Sequence, residues 1–254
     1  MSILPKKDNG RIDYKSMWEV KLLKGILLFF AYATLVTYLF SSAPSAWNWI
    51  KLKWYIGDDY KIEHLTTNTE TLLAADEYPL AMRFIRNYPP AQAQTVHDTL
   101  RPLTPQFNAD YFFMLANKFY RNGDIDTALF WNTVARFRLR YDAVRCQSEM
   151  ADMLSNDFSI LLTEPGLLKA MLKTNENDLA RRLEKTLSFD EKHPPENNPR
   201  YFCEFLERYK HLDNVAVADP ENWNNMRRAL RLTAQIKIDS IRQSAAKPNN
   251  NTAR

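Results

Sequence analysis

The stretch Leu115-Ala116-Asn117-Lys118-Phe119-Tyr120-Arg121-Asn122-Gly123-Asp124, continuing into Ala128-Leu129-Phe130-Trp131 and Ala135, decides the fold. Its spacing predicts a tight antiparallel helix hairpin. Ala116, Ala128 and Ala135 are small enough to let two helices approach closely, and Phe119 and Trp131 fill the space around them. Asn122-Gly123-Asp124 reads as a helix stop, a left-handed turn at Gly123 and a new cap, in three residues.

Outward from the hairpin the helical reading continues. Thr104-Pro105, Asn198-Pro199 and Asp219-Pro220-Glu221 each place a capping residue before a proline, which predicts a helix start. Phe107, Tyr111, Met114, Leu115 and Phe119 form one apolar stripe, and Trp223, Met226, Leu230, Ala234 and Ile238 form another. Gly57-Asp58-Asp59 predicts a stop and a cap ahead of a helix from Tyr60 to Leu73. Five glycines are too few for a fold of many tight β-turns, so the chain reads as all-α.

The hairpin resembles tetratricopeptide and Sel1-like repeats over residues 112–138. Ala128-x2-Trp131-x3-Ala135 is similar to the second helix of a Sel1-like unit, and Leu115-Ala116-x2-Phe119 to the first helix of either family. Asp76-Glu77-Tyr78-Pro79-Leu80-Ala81 is a fainter echo. Ala81 and Ala128 are 47 positions apart, against the ~34 of a tetratricopeptide array. A repeat-like domain and an irregular helical bundle both fit. The resemblance implies a protein-binding surface without chemistry of its own.

Toward the N-terminus, residues 22–40 are almost wholly apolar, and Gly25 to Phe40 carry no charge. Nineteen helical residues at ~1.5 Å each span about 28 Å, close to a ~30 Å hydrocarbon core. This predicts a single transmembrane helix within 21–43, flanked by Trp18, Tyr38, Trp47, Trp49 and Trp54. Lys6, Lys7, Arg11, Lys15, Lys21 and Lys24 precede it, whereas Lys51, Lys53 and Lys61 follow, so residues 1–20 read as a cytoplasmic tail. A cleaved signal peptide is the main competing reading, which Pro44 beside the small residues Ser41, Ser42 and Ala43 disfavours; a buried core helix is the other, although such helices rarely run sixteen residues without a charge or a polar stripe. Residues 44–243 then form an extracytoplasmic helical domain, with a possible sub-boundary at 190–199; 191–198 reads as a long polar loop with nothing to bury, and 244–254 as a polar disordered tail.

No pattern of chemistry stands out. There is no H-E-x-x-H, zinc-type cysteine spacing, P-loop, G-x-S-x-G or dinucleotide fingerprint, so no catalytic, metal or cofactor residues are assigned. Glu204, Glu207 and His211 share a helical face, as surface residues commonly do. Glu63, Asp76, Glu77 and Asp110 are available as acids for glycoside hydrolysis, but none is singled out. A net charge of +4 with interleaved acids argues against nucleic acid.

Arg136, Arg138, Arg140 and Arg145 make the densest cationic cluster and the candidate partner surface. Arg136 and Arg140 share one helical face; Arg138 and Arg145 align with each other. Arg227, Arg228 and Arg231 invite the same two readings, a solvated face or an anionic-partner site. Cys146 and Cys203 are either a disulfide or two buried thiols. The expectation is a non-enzymatic protein at a bacterial inner membrane whose periplasmic helical domain binds other proteins within a secretion, pilus or envelope complex. The alternatives are a cell-wall enzyme and an anchored regulator.

Overall fold

The structure, a computed structural model, describes residues 29, 30, 34, 44–56, 61–210 and 214–246. Every element among them is helical, and the one β-contact is an isolated bridge between Cys146 and Val217. Two compact units divide at Asp59/Tyr60.

In the first unit, Phe29, Phe30 and Thr34 are helical, and α1 runs Pro44–Ile56. The expected transmembrane helix is not supported. Among the described residues no helix is long and apolar enough to cross a membrane. At 13 residues α1 spans about 20 Å, short of a hydrocarbon core, and it carries Lys51 and Lys53. The rest of the stretch from Leu22 to Phe40, and residues 1–20 expected to be a cytoplasmic tail, lie outside the described residues.

The second unit begins with α2 (Leu65–Ala74), α3 (Tyr78–Arg86) and α4 (Ala93–Leu100). It continues with the hairpin α5 (Ala109–Arg121) and α6 (Ile125–Arg145), then α7 (Ala151–Leu162) and α8 (Pro165–Leu172). The last three helices are α9 (Glu176–Lys192), α10 (Arg200–Lys210) and α11 (Pro220–Ala246).

The α5–α6 turn is built as its residues dictate. Gly123 sits at φ +84, a conformation that costs an L side chain about 1–2 kcal/mol. Asp124 N donates to Phe119 O and Gly123 N to Tyr120 O, each at 3.0 Å, closing a Schellman motif. The Asp124 carboxylate then accepts from Thr127 N at 3.1 Å and starts α6. Ala116, Ala128 and Ala135 are fully buried, with Phe119 and Trp131 packed among them.

Helix α6 is the hub, packing on α5, α7, α8, α9, α10 and α11. A stacked repeat meets only its sequence neighbours; here α11 reaches back to α6. That is why α6 buries apolar residues all round its axis, from Leu129 and Val134 to Phe137 and Leu139. Phe137, Tyr141, Ala180, Leu187, Leu230, Ile238 and Ile241 form one core beneath α9 and α11, with Trp223, Met226 and Ala234 packed against it.

Three local expectations are corrected. Thr104-Pro105 does not start a helix: Arg101–Gln106 is a 3-10 turn enclosing Pro105, and Thr104 Oγ1 donates back to Arg101 O at 2.8 Å. Phe107 and Asn108 are extended, so the helix begins only at Ala109. The polar stretch 191–198 does not lie loose in solvent: Glu196 N donates to Pro105 O at 2.8 Å and Asn197 is buried. Ser244–Ala246 continue α11 rather than opening a tail, and residues 247–254 lie outside the described set.

Candidate partner-docking groove

The four arginines of the candidate surface separate by helical phase. Arg136 and Arg140, one turn apart on α6, line a groove; Arg138 and Arg145 point the other way and are 2% and 0% exposed. The second pair is therefore structural, and its assignment to a partner surface is corrected.

Arg145 forms an ion pair with Asp142 and donates to Asn197 O at 2.8 Å. Its guanidinium lies 4.2 Å from the Tyr141 ring centroid and 4.6 Å from that of Trp223. Asp142 also accepts from the Tyr201 hydroxyl at 2.5 Å and from Asn197 Nδ2 at 3.3 Å. Burial raises the Asp142 carboxyl above its ordinary value despite Arg145 and these donors.

Arg138 donates to His193 O and has its Nε 4.0 Å from Asp190 Oδ1. Desolvation lowers it to about 10, although Asp190 and Asp142 pull the other way. Asp190 receives two more guanidiniums, Arg227 Nε and Arg231 Nη1, each at 2.9 Å from Oδ2.

The groove lies between α6, α7, α8, α9 and α11 and encloses about 300 Å³. Phe137, Leu139, Met171, Leu179, Leu183 and Leu230 give it an apolar floor. Thr133, Ser155, Asn156, Ser159 and Thr233 add hydroxyls and an amide to its lining. Three cations line it, Arg136, Arg140 and Lys237, and no carboxylate does.

Arg140 is engaged by Asp152 through Nε–Oδ1 at 2.9 Å and Nη2–Oδ2 at 3.2 Å, a bridge exposed on both sides that stiffens the mouth but contributes little stability. Arg136 spends only Nε, on Asn132 Oδ1 at 3.0 Å. Desolvation lowers its pKa, the cost of a guanidinium lying on an apolar floor.

The other predicted residues are placed as follows. Cys146 and Cys203 are joined by a disulfide with Cα atoms 5.5 Å apart, which ties the end of α6 to α10. Glu63 and Asp76 are exposed. Asp110 lines a separate cavity of about 370 Å³, accepts from Tyr78 Oη at 2.6 Å, and has its pKa raised by burial. Lys118 lines the same cavity but donates to Arg86 O and Tyr88 O, which makes it a backbone staple. No second carboxylate lines that cavity, so it lacks the pair that glycoside hydrolysis uses. Glu207 pairs with Arg200 at 3.2 Å, and His211 lies outside the described residues. Among the described residues no group of acids, histidines and cysteines is arranged to hold a metal ion.

Sequence reasoning missed the groove's other walls. Ser155, Ser159, Leu179 and Leu183 become neighbours of Arg136 only through tertiary packing. No family model matches the chain, and no curated protein and no solved structure matches it.

Proposed function

We propose that the helical unit is a non-catalytic protein-binding module, a scaffold or assembly component that holds an acidic, partly apolar segment of a partner protein in the groove beside α6. One observation carries the reading: Arg136 and Lys237, with Arg140 held by Asp152 at the mouth, line an apolar floor that has no carboxylate in its lining. A volume of about 300 Å³ sits at the low end of ligand pockets and has room for two or three side chains of a docked segment. Apolar anchors supply the affinity, while a carboxylate on Arg136 or Lys237 fixes register. The Cys146–Cys203 disulfide fits work in an oxidising, extracytoplasmic compartment, such as a bacterial envelope complex.

Selection of displayed peptides against the full chain tests this. The expected winners carry an acidic residue within one helical turn of two large apolar residues, and Arg136→Glu abolishes their binding. Winners without an acidic residue, or binding that Arg136→Glu leaves intact, contradict the reading.

A further inference from the structure

Another face of α11 carries a second arrangement. Asn224, Arg227, Arg228 and Arg231, at i, i+3, i+4 and i+7, share one side of the helix and line, with Glu191, a cavity of about 340 Å³. These residues do not border the docking groove, which meets α11 at Leu230, Thr233, Ala234 and Lys237.

Part of the cluster has a structural task. Arg227 donates to the carbonyl oxygen of Asp190, one of the orphan carbonyls in the last turn of α9, and through Nε to the Asp190 carboxylate at 2.9 Å. Arg231 Nη1 is shared between Leu187 O and Asp190 Oδ2, both at 2.9 Å. Those contacts use the inner edges of two guanidiniums and hold both planes in place. Among the described residues they leave Arg227 Nη1 without a hydrogen bond, and Arg231 Nη2 has only a 3.4 Å contact to Glu191, whose side chain is 75% exposed. Capping α9 requires neither Arg228 nor Asn224. Arg228 is exposed and makes no ion pair among the described residues.

Charge points the same way. Arg227, Arg228 and Arg231 line the cavity with Glu191, and Asp190 pairs with Arg227 and Arg231, so three guanidiniums stand against two carboxylates, an excess of one positive charge. A preorganised fork of guanidiniums with spare donors is the recognition chemistry of oxyanions. Donors from three arginines and an amide lining one cavity suit a dianion with three terminal oxygens better than a single carboxylate.

We propose that Asn224, Arg227, Arg228 and Arg231 form a binding site for a phosphate monoester or inorganic phosphate dianion. The site does not depend on the docking groove. Arg227 and Arg231 act as fixed donors, Arg228 closes over the ligand from the solvent side, and Asn224 offers its amide to a remaining oxygen. The ligand displaces the weak Glu191 contact.

Calorimetric titration of the full chain with inorganic phosphate and with phenyl phosphate, at constant ionic strength, tests the site. Both are expected to bind saturably and in competition. Arg228→Gln should weaken binding about tenfold or more, since it removes a charge-assisted donor set, and Asn224→Ala should weaken it less. Lys173→Gln, the same charge change at an exposed position on another element, should leave it unaltered. Vesicles of phosphatidylcholine containing phosphatidic acid, against charge-matched phosphatidylserine, separate the sources. Preference for phosphatidic acid that Arg228→Gln removes, with weak binding of the free ion, supports the site and assigns it to a lipid headgroup. The proposal is overturned if neither phosphate nor phosphatidic acid binds, if Arg228→Gln binds like the parent, or if both anionic vesicles bind equally.

Discussion

Tyr201 donates its hydroxyl to Asp142 Oδ2 at 2.5 Å, so the first turn of α10 hangs from the last turn of α6. The same hydroxyl accepts from Ala109 N at 3.3 Å, which brings the start of α5 to the joint. Asn197 completes it, donating to Asn108 Oδ1 at 3.1 Å and to Asp142. Of the helices that form the groove wall, α6 is thus fixed at its C-terminal end, to α5 and α10, by a polar cluster rather than by apolar contact alone. Removing one member leaves a buried partner unsatisfied. Tyr201→Phe is expected to destabilise the unit by about 1–3 kcal/mol in urea denaturation; an unchanged midpoint would show that the joint carries no load.

Asp190 answers three guanidiniums and is 2% exposed, whereas its neighbour Glu191 is 75% exposed. Breaking an ion cluster by deleting its buried anion strands the cations. Asp190→Ala should cost about 3–5 kcal/mol, while Glu191→Ala should change stability by less than about 1 kcal/mol. Equal effects of the two substitutions, measured side by side by chemical denaturation, would contradict the assignment.

His97 packs at 4.3 Å from the Trp131 ring, and burial lowers its pKa to about 4. Between that value and the ~6.5 of an unfolded histidine, the unfolded chain binds the proton and the folded chain does not. This residue's contribution is therefore intact above about pH 6.5 and is lost as pH falls toward 4. Asp110 and Asp142, whose carboxyls burial raises, act with the opposite sign, but they do so in parent and variant alike. The stability difference between the parent and His97→Gln should shrink steadily from pH 7 to pH 4.5. A pH-independent difference would refute it.

The disulfide closes a separation of 57 residues. In the chain-entropy account such a cross-link contributes about 3–5 kcal/mol through the unfolded state. Denaturation with and without a phosphine reductant should show a loss of that size, and the Cys146→Ala/Cys203→Ala double variant should match the reduced protein. A reduced protein as stable as the oxidised one would contradict the prediction.

How much of this was legible in the sequence depends on the range of the interaction. The α5–α6 hairpin was readable because Ala116, Gly123, Asp124 and Ala128 act on neighbours a few residues away. The division of Arg136 and Arg140 from Arg138 and Arg145 follows from 3.6 residues per turn. Which pair faces the groove does not, since the anions that claim the buried pair include Asp190, far along the chain on α9. Thr104-Pro105 misled because a capping signal is local, and the extended Phe107 and Asn108 intervene before the helix. Asn197 was hidden in a stretch whose composition reads as solvent-exposed, although its side chain is spent inside the joint. The transmembrane expectation rested on apolarity from Leu22 to Phe40, and no described helix has the length and apolarity to sustain it.

Photo-crosslinking in intact cells from Asn156, an exposed residue of the groove, tests the docking claim most directly. With a benzophenone side chain at that position, one discrete protein adduct is expected. Arg136→Glu together with Lys237→Glu should eliminate it, and Lys169→Glu together with Lys173→Glu should not. An adduct that survives reversal of the groove charges, or is lost equally with the control pair, would contradict the account.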